Sequence, residues 1–215
     1  MTEKSKPVRA VLWDFGGVIS SSPFEAFNRY ESANGLPRDF IRSLNTANAH
    51  DNAWARLERS ELDLDGFRAA FEAEALAAGH ALDAGAVLAM LYGEIRADMV
   101  AALKAVAARY RTACLTNNIG VDIRPPEMVR ESEAIMEVFD VVVESSKIGV
   151  RKPEPRFYEL ACEMLDVAPD ESVFLDDLGI NLKPARAMGM RTIKVVTAEQ
   201  ALDELEAALG HAVRS

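Results

Sequence analysis

Five short apolar runs, separated by stretches long enough for helices, constrain this chain more than any other feature. The first begins at Val8 and stops abruptly at Asp14, turning through Gly16-Gly17. The second, Arg111 to Leu115, closes on Thr116-Asn117-Asn118. The third, Asp140-Val141-Val142-Val143, closes on Glu144-Ser145-Ser146. The fourth, Ser172 to Leu175, closes on Asp176-Asp177, and the last runs from Thr192 to Val196. Strands apolar on both faces and alternating with helices predict an α/β fold built on a parallel, doubly wound sheet.

The intervals are unequal. From Ser20 to about Gly93 there is no convincing strand, and apolar residues recur at helical spacing: Phe24 with Phe27, Ile41 with Leu44, Trp54 with Leu57, Phe67 with Phe71, Val87 with Leu91. Breaks at Asn34-Gly35-Leu36-Pro37, at Ser60 and at Ala78-Gly79-His80 divide this segment into four or five short helices. It is expected to be a helical insertion, 21–93, covering the carboxyl end of the first strand, with 1–20 and 94–215 forming the core. Later helices are expected on the face of Met99, Val100, Leu103, Val106 and Ala107, and over 127–137. Another should turn Phe157, Ala161, Met164 and Leu165 inward, and a further one, through Leu182, Ala185 and Met188, should end at Gly189. Thr197 with Gln200 predicts a capping box for the last helix, which carries Leu202, Leu205 and Leu209.

In a parallel sheet all strand carboxyl ends share one edge, and ligands bind there. Asp14, Thr116-Asn117, the loop of Lys152 and Asp176-Asp177 are therefore expected to converge. Taken singly, each has an ordinary alternative: an Asx turn at Asp14, a turn cap at Thr116, a solvated charge at Lys152, a helix N-cap at Asp176-Asp177. Taken together, three carboxylates, a hydroxyl and an ammonium suit phosphoryl transfer. Asp14 would attack phosphorus, Thr116 and the following amides would hydrogen-bond the transferring group, and Lys152 would supply a compact positive charge. Carboxylates crowded this way need a cation, and Asp14 and Asp177 with a backbone carbonyl suit Mg²⁺.

Thirty-four acidic against 24 basic residues give a formal net charge of -10, with no Lys/Arg-rich block. That disfavours nucleic acid as a partner, and it means that a phosphate site requires a metal ion and local cations. No apolar run approaches the ~18 residues of a membrane span, and the MTEKSKPVR start lacks a signal-peptide core, so a cytoplasmic protein, monomer or homodimer, is expected. Cys114 and Cys162 have no partner spacing for metal or redox work and read as small core residues. His50, His80 and His211 form no spaced cluster.

The stretches WDFGGVIS, CLTNN, ESSKIGVRKPEPRFYE and VFLDDLGINLKPARAMGM resemble the haloacid dehalogenase (HAD) superfamily of hydrolases, a Rossmann-like core with a helical cap. Within it they are especially similar to the N-terminal phosphatase domain of mammalian soluble epoxide hydrolase and the related domain at the start of some acyl-CoA dehydrogenases. The resemblance implies Asp14 as nucleophile and metal ligand, Gly16 as a ligand through its carbonyl, and Thr116, Asn117 and Asn118 as phosphate contacts. It likewise implies Lys152 as charge stabiliser, Asp177 as direct Mg²⁺ ligand, Asp176 as its outer partner that also orients Lys152, and Asn181 as a loop support. A small phosphorylated substrate follows.

One departure stands out. The family's phosphatases commonly carry a second Asp two residues after the nucleophile, as general acid; here that position is Gly16. General acid help is commonly worth ~10²–10⁴ in rate, so the expectation is either a preference for leaving groups that need little protonation, such as aryl, acyl or anomeric sugar phosphates, or an acid recruited from the cap or the substrate. Two alternatives share the core: a metal-free haloacid dehalogenase, against which Asp176-Asp177 argues, and a catalytically weakened binding module, which Gly16 would suit.

Overall fold

In the computed structural model, which describes residues 6–120 and 124–214, five parallel strands form one sheet in the order β3-β2-β1-β4-β5. They are β1 Ala10–Trp13, β2 Arg111–Thr116, β3 Val141–Glu144, β4 Ser172–Asp176 and β5 Arg191–Lys194. The first five residues of the basic start lie outside the described residues. All of β1 is buried, and its period-two alternation divides the core. Val11 and Trp13 pack with Met99, Leu103 and Leu202 on one face, whereas Ala10 and Leu12 pack with Phe157, Tyr158 and Leu182 on the other. Helices α6 Ala97–Ala107, α7 Pro126–Met136 and α11 Ala198–Leu209 thus cover the first face, and α9 Pro155–Leu165 and α10 Gly179–Ala187 the second. The sheet is doubly wound because its strands are apolar on both sides.

Between β1 and α6 lie α1 Phe24–Ala33, α2 Phe40–Thr46, α3 Ala53–Glu58, α4 Leu64–Ala77 and α5 Ala84–Ala89. These helices form a cap with its own apolar cluster, in which Phe67 and Phe71 stack at 5.2 Å and Trp54 meets both rings edge-on. Such short helices need their end groups satisfied. Asn52, Asp63 and Asp83 cap α3, α4 and α5 with their side chains. For α2 the cap comes from α1: the buried Glu31 carboxylate accepts the N–H groups of Asp39 and Ile41 at 2.7 and 2.9 Å. A four-residue helix, α8 Ser145–Ile148, follows β3.

Most expected elements form, and two details differ. Met164 is 55% exposed, not inward. The buried stripe of α9 includes Tyr158 and Cys162, and Tyr158 donates its hydroxyl to the Asn181 carbonyl at 2.7 Å, which rotates the helix and turns Met164 out. The last strand ends at Lys194, two residues before Val196, which is 70% exposed. There the chain turns into the Thr197–Gln200 capping box that starts α11. Cys114 and Cys162 are unpaired thiols, and burial pushes both up, Cys162 to about 11, as suits core residues.

Candidate functional site

The register of the sheet brings the polar strand ends together. Trp13 is level with Cys114 on one side and Leu175 on the other, so Asp14 emerges beside Leu115 and Asp176. This central position is where the strand order reverses, the usual place for a ligand crevice in an open α/β sheet. Asp14 begins a single wide turn, Phe15–Ile19, and accepts the Phe15 N–H on Oδ1 at 2.7 Å. Within that turn Gly17 has φ +78°, and a Cβ on it would lie 2.2 Å from Asp177 Oδ2. Glycine here meets both a left-handed backbone and the approach of a carboxylate. Gly16 differs: its φ is -70° and a Cβ there would meet nothing within 4 Å.

Lys152 is the hub. Its ammonium, 1% exposed, lies 2.7 Å from Asp14 Oδ1 and 2.9 Å from Asp176 Oδ2. Burial works against the charge, but Asp14 and Asp176 more than reverse it and hold the group above its ordinary pKa. The lysine's backbone is gripped by the Asn117 amide, which donates to the Lys152 carbonyl at 3.0 Å and accepts its N–H at 2.9 Å. Asp176 is saturated: besides Lys152 it accepts from the Leu178 N–H at 2.7 Å and from Asn181 Nδ2 on both oxygens. Asn118 is similarly engaged, its N–H on Ser145 Oγ and its amide on Glu144 and Ser146. A phosphate contact through Asn118 would require exchanging those bonds. Thr116 ends β2 and lines the same cavity as Asp14 and Lys152.

Carboxylate oxygens of Asp14, Asp176 and Asp177 lie within 4.8 Å of one another. Burial lifts Asp14 well above the usual carboxylate range, Lys152 pulls it back, and Asp176 and Asp177 add to the rise. Burial, reinforced by Asp176, pushes Asp177 up to about 6, with Lys152 and Ser22 opposing. Closely spaced hard oxygen donors of this kind fit a divalent cation such as Mg²⁺. Of the three, Asp176 already accepts hydrogen bonds on both oxygens, and Asp14 on Oδ1.

A stability prediction follows. Between its ordinary 3.8 and about 6, the folded Asp177 retains a proton that the unfolded chain has lost. Its contribution therefore weakens stability as pH rises through that window, by on the order of 3 kcal/mol once fully ionised. In metal-free buffer Asp177→Asn is expected to melt higher than the wild type at pH 8 and nearly with it at pH 4. Saturating Mg²⁺ should close the gap by stabilising only the wild type. Thermal melts at the two pH values, with and without Mg²⁺, read this directly.

The strand ends open into a cavity of about 1130 Å³. Phe24, Phe27, Trp54 and Tyr92 form part of its wall, as do Arg42 and Asn45 of α2. Phe24, Phe27 and Trp54 thus serve both the cap cluster and the cavity. His50 and His80 are not among the lining residues; the His80 ring instead meets Phe40 edge-on at 5.0 Å. Sequence reasoning missed Glu58 and Arg151, which also line the cavity and bond to each other. The one available signal was that Arg151 directly precedes Lys152. Among the described residues no helix is long and apolar enough to cross a membrane.

A haloacid dehalogenase-like hydrolase family model matches residues 8–189. Acyl-CoA dehydrogenase family member 10 of Mus musculus is 33% identical over 208 residues, covering 94% of this chain and 19% of the relative. Bifunctional epoxide hydrolase 2 of Mus musculus is 30% identical over 216 residues, covering 94% and 39%. The chain therefore spans well under half the length of these relatives. A HAD family enzyme from Bacteroides thetaiotaomicron, solved in complex with magnesium and inorganic phosphate, shares the fold with a TM-score of 0.56 and 17% identity, covering 87% of this chain and 93% of that one.

Proposed function

The chain belongs to the haloacid dehalogenase-like hydrolase family, and from that premise we propose that it is a Mg²⁺-dependent phosphatase working through an aspartyl-phosphate on Asp14. The observation that carries this reading is the placement of Lys152 between Asp14 Oδ1 and Asp176 Oδ2, with Asp177 in the same cluster. The magnesium and phosphate bound by the Bacteroides enzyme lend support. In this reading 21–93 acts as a cap over a core of 1–20 and 94–215.

Mg²⁺, held by Asp14, Asp177 and the Gly16 carbonyl, would neutralise phosphate oxygens and orient them for in-line attack. The Lys152 and Phe15 contacts both fall on Oδ1 of Asp14, which fixes the carboxylate's orientation. A carboxylate oxygen of Asp14 then forms a bond to phosphorus as the bond to the leaving oxygen breaks. Thr116 and the Asn117 N–H hydrogen-bond the transferring oxygens, joined by Asn118 if it exchanges its bond to Ser145, and Lys152 offsets the charge gathered around Asp14. Water next attacks phosphorus, the bond to Asp14 breaks, and inorganic phosphate leaves with the carboxylate restored.

Position 16 governs the leaving group. Glycine supplies no acid there, so unless the cap or the substrate provides one, leaving groups that depart with little protonation are favoured. An aryl phosphate suits this, and the aromatic wall of the cavity offers such a group contact surface. Metal-dependent phosphate release from an aryl phosphate, lost in chelator, tests the reading. Release in chelator, or none at all, would count against it, the latter favouring a module that binds without turnover.

Space at position 16 makes a second test possible. Since a Cβ there meets nothing and φ is negative, Gly16→Asp is expected to fold. It should raise turnover of glycerol phosphate relative to an aryl phosphate by ~10-fold or more, within the span of general acid catalysis. An unchanged ratio of kcat/KM for the two substrates would show that leaving-group protonation is not what position 16 controls.

A further inference from the structure

We propose that Glu58 and Arg151 form a clasp through which the cap sets the position of Lys152, making both of them positioning residues; only the kinetic part of this inference rests on the phosphatase reading. Glu58 ends α3 in the cap, and Arg151 belongs to the loop between α8 and α9. Arg151 Nε lies 2.5 Å from Glu58 Oε2, with the two side chains only 14% and 9% exposed. A pair this dry carries a desolvation cost that surface pairs escape, so its worth lies in geometry more than in stability.

Each partner is fixed at a second point. Trp54 donates its indole N–H to Glu58 Oε1 at 2.9 Å, and Arg151 Nη1 donates to the Ala49 carbonyl at 3.0 Å. Next to this pair, Ser60, held at φ 60°, donates its hydroxyl to the Ser146 carbonyl at 3.0 Å. Cap and core also meet at the two chain crossings, where Ser20 bridges Ile95 and Ser21 exchanges hydrogen bonds with Glu94, and where Ile119 packs against the cap cluster. The clasp is therefore a non-covalent attachment additional to the crossings.

Its consequence runs along one peptide bond. Arg151 is joined to Lys152, whose backbone is gripped by Asn117 and whose ammonium lies between Asp14 and Asp176. With the cap seated, Arg151 is anchored from both Glu58 and Ala49, and the lysine loop is held at each end. With the cap lifted, both anchors are lost together. Cap closure and the placement of the lysine charge are thus one event.

The test uses the full chain as Glu58→Gln, Arg151→Gln and the double variant, with Mg²⁺ and an aryl phosphate. Each single change is expected to lower kcat about 10- to 100-fold, the scale of small misplacements of a reacting group, with KM changed far less. The singles should also melt lower, because each leaves a buried group without its partner. The double variant should regain most of the lost Tm and none of the lost kcat. Recovery of kcat together with Tm, or singles with unchanged kcat, would overturn the proposal.

Trp54→Phe removes the indole donor to Glu58 while keeping an aromatic ring beside Phe67 and Phe71, and serves if the charge variants do not fold; a smaller kcat loss is expected from it, and none would overturn the proposal. A second readout needs no turnover. Trypsin digestion with Mg²⁺ and inorganic phosphate should cut within 93–97 faster in Glu58→Gln, or in Trp54→Phe, than in the wild type. Equal rates would overturn the clasp even if the protein proves not to be a phosphatase.

Discussion

Asp14→Asn is expected to abolish phosphate release, by at least about 10⁴-fold in kcat, while leaving the fold intact. Losses of that order or larger accompany removal of a covalent nucleophile. An amide has the same shape as the carboxylate, so the Phe15 N–H keeps an acceptor and the buried site is not emptied. Lys152 retains Asp176 at 2.9 Å, and the crowding that lifts Asp14's own pKa is relieved. Stability should therefore hold or rise. Phosphate release from an aryl phosphate by the two proteins, with Mg²⁺ and with chelator, gives the kinetic result, and thermal melts give the other. Metal-dependent release that survived the substitution would remove Asp14 from the role of nucleophile.

Lys152→Met should have the largest effect on stability. The change deletes the only side-chain cation, among the described residues, that pairs with the buried Asp176, and leaves that carboxylate beside Asp14 and Asp177. Breaking a buried pair by removing one partner typically costs 3–5 kcal/mol. For a chain of 215 residues that is a fall in Tm of about 10 °C or more. Asp176→Asn added to Lys152→Met should recover much of the Tm, since it removes the orphaned charge, yet activity should stay lost because the ammonium near Asp14 is gone. A Lys152→Met protein that melts with the wild type would mean that Asp176 is neutralised some other way.

Much of this architecture could be read from the chain because its signals are local. An apolar run that stops at Asp14, Thr116 or Asp176 announces a strand end, and parallel pairing makes those ends neighbours whatever their separation in sequence. The helical spacing of Phe67, Phe71 and Val87 likewise revealed cap helices without any knowledge of their packing. Non-local relations were hidden. Glu58 and Arg151 are 93 residues apart, and each alone looks like an ordinary solvated charge. Asn117 reads as a phosphate contact from the sequence, and nothing local announces that its side-chain amide also grips the Lys152 backbone. Met164 was misplaced because spacing defines a stripe only to within a residue or so, and the Tyr158 bond to Asn181 chose the rotation.

The central position of β1 also bears on how the chain is made. Its partners β2 and β4 follow about 100 and about 160 residues later, so the first strand must remain unpaired until at least β2 has been made. The cap's apolar cluster, by contrast, draws nearly all its members from 24–91 and can collapse before either partner strand exists. Completing the sheet then means closing long loops, a slow step for any chain dominated by distant pairings. The strand that leads into Asp14 precedes both of its partners, and its sheet pairing on both sides cannot finish until β4 has arrived.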